Sequence, residues 1–173
     1  MTEELFANLE SLFDVADKIW EDYTAQVKQS LLNWEKLRPL LLEKITILKT
    51  RISSNLKELE EIQLKVELGL LEEEKSQKKF NSLSEETISL IHELETLVIL
   101  FEKTTLKSIQ HMKRIGIPLD ITPEDIQRKI DETDHSFREG IISSEDIYKE
   151  LKHILEDQLQ LVSNKEISGS APQ

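Results

Sequence analysis

Between Thr2 and Ile115 the chain contains one glycine, Gly69, and one proline, Pro39. These two residue types supply most sharp reversals, glycine through its access to positive φ and proline through its missing amide hydrogen. A stretch with so little punctuation folds into a few long elements, and the spacing of its apolar residues says which kind. Leu5, Leu9, Leu12, Ala16, Ile19 and Tyr23 alternate steps of four and three, while Phe6, Phe13, Trp20, Val27 and Trp34 advance by sevens. Both rows follow the helical repeat, and together they make about three positions in seven apolar, a stripe wide enough for more than one neighbouring helix.

The expected fold is therefore all-α: an elongated long-helix coiled coil or helical bundle with a short C-terminal helical hairpin. The spacing predicts helices over about 2–37, 40–80 and 83–114. Pro39 is expected to kink the first helix or mark a tight corner, though proline also suits the first turn of a new helix. The second stripe runs through Leu41, Ile45, Leu48, Ile52, Asn55, Leu59, Ile62, Val66 and Gly69. Asn55 is either a polar seam residue or half-exposed, with Leu56 rolling into its place. Ser82 followed by Glu85 has the spacing of a capping box, which places the expected reversal at 81–83; the competing reading is one unbroken helix from 40 to 114.

In the third helix Thr87, Ile91, Leu94, Val98 and Phe101 trace one face, Leu90, Leu97 and Leu100 widen it, and Ile99 lies on another side. A helix apolar nearly all round must be covered nearly all round. Within one chain two other helices can do that only in part, so another subunit is expected over Leu97, Val98, Ile99, Leu100 and Phe101.

Gly116, Pro118 and Pro123 then form a connector, with Ile115, Ile117, Leu119 and Ile121 as alternating anchors. Thr122-Pro123-Glu124-Asp125 is a helix start with cap, N1 proline and acidic first turn. Gly140 ends that helix, and Ser143 or Ser144 caps the next. Residues 117–163 read as an acidic helical hairpin, and 164–173 as a flexible tail. Charge follows the same division: 39–82 has 8 acids and 8 bases, whereas 117–173 has 13 acids and 6 bases.

Composition narrows the chemistry. The chain has no cysteine, which excludes disulfides, thiolate metal sites and cysteine nucleophiles. Glu132-Thr-Asp-His135 and Glu150-Leu-Lys-His153 have the Glu-x-x-His spacing of di-iron bundles. The helical wheel turns both pairs away from the apolar stripes, however, and no catalytic residue, metal site or cofactor is expected. Lys103, Lys107, Lys113 and Arg114 form the one small basic cluster in a chain of net charge −12, so nucleic acid is not an expected partner. No apolar run is long enough for membrane insertion, and no small-molecule ligand is expected.

The expectation is a non-enzymatic structural, scaffold or tethering subunit that joins a multi-subunit complex through coiled-coil helices, in cytoplasm or nucleus. The interaction candidates are Phe6, Phe13, Trp20, Val27 and Trp34 together with 97–101, and the partners are other helical proteins in a hetero- or homo-oligomer. The alternative is a monomeric helical-bundle adaptor whose acidic hairpin docks a basic partner.

Overall fold

A computed structural model describes residues 1–170, with side chains described as far as Asn164. Four helices follow in order: α1 (Thr2–Glu67), α2 (Glu73–Arg114), α3 (Pro123–Arg138) and α4 (Glu145–Ser170). The fold is all-α. α2 lies between α1 on one side and α4 on the other, and α3 packs along α4.

α1 runs unbroken for 66 residues, on the order of 100 Å, with Pro39 inside it. Pro39 therefore neither ends α1 nor starts a new helix. An internal proline costs about 3 kcal/mol or more through a lost hydrogen bond and a carbonyl clash. Packing on both sides holds the helix together. The Trp34 ring meets Phe101 of α2 at 5.2 Å between centroids, and Ile45, Leu48 and Ile52 are buried in the main core.

The first reversal falls at 68–72, not at 81–83. Gly69 has φ +71°. Its amide donates to the Val66 carbonyl, and the Leu70 amide donates to the Lys65 carbonyl. This is a Schellman ending, in which a left-handed C′ residue lets the last carbonyls of a helix find donors. Ser82 and Glu85 lie inside α2. The span 40–114 thus contains two helices, but their boundary lies more than ten residues before the expected one. Gly116 (φ +76°) and Gly140 (φ +77°) end α2 and α3 in the same way, as their positions in the sequence predict. Thr122 caps α3 in a reciprocal capping box with Asp125, whose carboxyl is held below its ordinary range by the Thr122 amide and hydroxyl.

From that reversal α1 and α2 run antiparallel. Successive cross-links are Glu58 with Lys79, Arg51 with Glu86, Lys44 with Glu93, Trp34 with Phe101, and Tyr23 with His111. Leu90, Leu94, Leu97 and Phe101 fall within about 60° of one another on the α2 wheel and form the side that meets α1. Glu95, Ile99, Glu102, Leu106 and Ile109 fall within about 80° of one another on a second side, and α3 and α4 cover that side.

The hairpin's Ile126, Ile130, Ile142, Leu151, Ile154, Leu155 and Val162 share one buried cluster with Ile45, Leu48 and Ile52 of α1 and Ile91, Leu94, Val98, Ile99, Phe101 and Ile109 of α2. The connector is docked as its alternation predicts, with Ile115, Ile117, Leu119 and Ile121 half-buried between exposed neighbours. The expected tail at 164–173 is helical as far as Ser170; its side chains from residue 165 onward, and residues 171–173 altogether, lie outside the described residues.

Asn55 is buried in the α1 seam, and Leu56 packs beside it against the core. The Asn55 Nδ2 has no hydrogen-bond partner. A buried amide without a partner costs about 1–3 kcal/mol. Asn55→Leu is therefore expected to raise stability by about 1–3 kcal/mol, read as a higher denaturant midpoint at unchanged slope. An unchanged or lower midpoint would mean that Nδ2 finds a partner in solution.

Candidate interaction surface

α1 extends past the bundle because α2 is shorter. The last cross-link between them joins the Tyr23 hydroxyl to His111 Nδ1 at 2.7 Å, and α2 ends three residues later. All residues from Met1 to Asp22 are exposed, forming an arm of about 30 Å. Leu5, Phe6, Leu9, Leu12, Phe13, Val15, Ile19 and Trp20 each leave 48–68% of their surface open. Isolated exposed apolar residues are ordinary, but a contiguous row of large ones marks an interaction surface.

The heptad row read from the sequence therefore splits. Phe6, Phe13 and Trp20 lie open on the arm. Val27 is buried and Trp34 is partly buried against the bundle core, so both belong to the α1–α2 packing. Between the two parts, Tyr23, Val27, Leu31 and Trp34 of α1 and Lys107, Ser108 and His111 of α2 line a cavity of about 330 Å³. Trp20, the last large apolar residue of the arm, lies 5.7 Å from the ring of Tyr23, which lines the cavity. The arm's apolar stripe thus runs without interruption into a recess between α1 and α2.

The segment 97–101 has a different fate. Val98, Ile99 and Phe101 are 6–7% exposed, and Leu97 packs at the edge of the core. The cover expected from another subunit comes from α1 on one side and from the hairpin on the other. Leu100 alone faces outward, at 57% exposure. Apolar content all round a helix requires cover, but it does not say whose.

Sequence reasoning passed over the carboxylates that seat the hairpin. Glu95 and Glu102 are seven residues apart on the second side of α2 and are 3% and 7% exposed. Glu95 accepts hydrogen bonds from the backbone amides of Ser143 (3.3 Å) and Ser144 (2.9 Å), at the start of α4, where a helix leaves donors unpaired. Glu102 accepts from Lys129 of α3 at 2.9 Å, and its backbone carbonyl accepts from the fully buried Gln158 of α4. Lys113 donates to the Leu161 carbonyl at 2.6 Å. Charged residues on an otherwise apolar sector were the available signal.

The hairpin carries its own polar clasp. Tyr148 stacks on Phe137 at 4.2 Å and donates to Asp134, which also pairs with Lys152 at 3.2 Å. The Tyr148 hydroxyl, followed by Lys152, holds the Asp134 carboxyl below its ordinary range. The Asp134 carboxylate in turn raises the Lys152 ammonium. Glu145 and Glu150 pair with Lys149 and Lys103, each at 3.1 Å.

Glu132, His135, Glu150 and His153 lie on exposed positions, as the wheel predicts. Among the described residues no group of three or more acidic or histidine side chains converges as a metal site would, and no helix is long and apolar enough to cross a membrane. Gly116 and Pro118 sit in the α2–α3 connector, and Pro123 is the first residue of α3. No protein-family model, curated protein or solved structure matches this chain.

Proposed function

We propose that the protein is a non-enzymatic structural or tethering subunit that joins a multi-subunit assembly through α1, working in cytoplasm or nucleus. The observation that carries this reading is the arm: about six helical turns bearing a row of large apolar side chains that stay exposed, with nothing among the described residues laid against them. In proteins most helical stability comes from burying an amphipathic face. A partner that covers the stripe would supply that burial. The bundle formed by α2, α3 and α4 with the rest of α1 gives the arm a rigid base and sets its direction.

Affinity purification of the full chain from cells of its source tests the reading, run beside a variant carrying Phe6→Asp, Phe13→Asp and Trp20→Asp. All three positions are exposed, so the melting temperature should move by no more than the small amounts typical of surface changes, about 0.5 kcal/mol each. The co-purifying helical proteins should be lost. Partners retained by this variant, but released when the exposed carboxylates of 117–163 are neutralised, would favour the alternative of an adaptor whose acidic hairpin docks a basic protein.

A further inference from the structure

We infer that the helix seated on the arm belongs to a different protein and carries lysine or arginine along its flanks, and that it is not a second copy of this chain. The inference rests on the reading of the arm as a docking element and concerns only the chemistry of what docks there. On the arm wheel, Leu5, Phe6, Leu9, Leu12, Phe13, Ile19 and Trp20 occupy about 140°. Directly beside them Glu3, Glu10, Asp14, Asp17 and Glu21 occupy about 60°. The other flank carries Glu4 and Asp22, and Lys18 is the arm's one basic residue against seven acids.

Residues flanking a coiled-coil seam face the flanks of the partner helix and set partner choice. In an antiparallel pair of arms the five-acid row meets itself. In a parallel pair it meets a flank with two further acids and no lysine or arginine close to the seam. Lys18 pairs with Asp22 of its own helix at 3.2 Å, so it is already engaged. Both self-pairings set like charges beside a desolvating seam, whereas a basic-flanked helix converts the same row into attraction.

The cavity at the arm's base extends the seat. Its α1 wall of Tyr23, Val27 and Trp34 continues the two rows that carry Leu5 to Trp20. A helix following the stripe therefore finds its final apolar anchor there, beside the Lys107 and His111 edge of α2.

The test uses the full chain with two synthetic amphipathic peptides of about four heptads each. They share one leucine and isoleucine stripe, and their flanks are lysine in one and glutamate in the other. Isothermal titration at low salt should give at least about tenfold tighter binding of the lysine peptide, with the difference shrinking as salt rises. Phe13→Asp with Trp20→Asp should abolish that binding while shifting the melting temperature by no more than the small surface effect expected above, about 0.5 kcal/mol for each substitution. Sedimentation equilibrium of the chain alone should report a monomer.

Equal binding of both peptides, or of neither, overturns the inference. A dimer that Phe13→Asp dissolves overturns it in favour of a second copy, and binding to neutral phosphatidylcholine vesicles in preference to either peptide overturns it in favour of lipid. Equal peptide binding or an arm-mediated dimer leaves the arm a docking element. The docking reading itself fails only if native partners survive the arm substitutions in the purification described above.

Discussion

A chain ended after Gly116 will lose cooperative folding although it keeps both long helices. Its heat unfolding, followed by circular dichroism at 222 nm, should change from a sigmoidal transition to a shallow slope. It should also bind more of a hydrophobic dye than the full chain, whose longest exposed apolar row is that of the arm. The cause is the second side of α2. Ile99 and Ile109 are 7% and 2% exposed in the full chain, and α3 and α4 provide their cover. Exposing a buried aliphatic side chain costs about 1.5–3 kcal/mol, so these two account for about 3–6 kcal/mol. A domain is typically stable by only about 5–15 kcal/mol in total.

Glu95 and Glu102 lose the Ser143, Ser144 and Lys129 donors at the same time. The separate piece 117–173 fares no better, because Ile126, Leu155 and Ile142 are at most 2% exposed in a core shared with α1 and α2. A cooperative melt of 1–116 at the full-length midpoint would instead make the hairpin an independent unit, as the charge division at 117 suggests.

What the sequence made legible was local. Gly116 and Gly140 end helices where a left-handed residue is required, Thr122 starts one where a cap, a proline and two acids coincide, and the stripe through Ile45, Leu48 and Ile52 faces the core. Each of these follows from one turn of backbone or one wheel. The misplaced reversal shows where such evidence stops. Ser82 and Glu85 have capping-box spacing, yet both lie inside α2, while the turn is made by Gly69 in an ending without any side-chain cap on the following helix. A local pattern competes with the packing of whole helices and can lose to it.

The consequence is larger than a boundary error. With the reversal at 69, α2 has residues enough to pair with α1 only back to Tyr23, and the open arm follows from the arithmetic of the two lengths. With the reversal at 82 that mismatch is displaced, and the row from Phe6 to Trp34 reads as one continuous surface. Glu95 and Glu102 escaped notice for a related reason. Two charges on an otherwise apolar sector of α2 mark the positions, but their partners are backbone amides and a lysine nearly thirty to fifty residues away, which no spacing within α2 identifies.

Leu94→Ala and Leu12→Ala, the same chemical change made twice, should separate by several kcal/mol. Leu94 has no exposed surface and sits between α1 and α2. Removing its side chain forfeits burial and leaves a cavity that long, mutually braced helices close only in part. The expected loss is about 2–5 kcal/mol, or about 4–20 °C in melting temperature for a chain of this size. Leu12 is 67% exposed on the arm, so the same truncation should change stability by no more than about 0.5 kcal/mol, with alanine's helix propensity opposing even that.

The contrast measures whether the arm is bare in solution. A large loss at Leu12 would mean that its side chain is already covered, by the bundle or by a second chain, and a rise in midpoint with protein concentration would tell those two apart. If Leu12→Ala is silent for stability yet weakens partner binding, the stripe is apolar for the sake of another molecule, because none of the described residues packs against it.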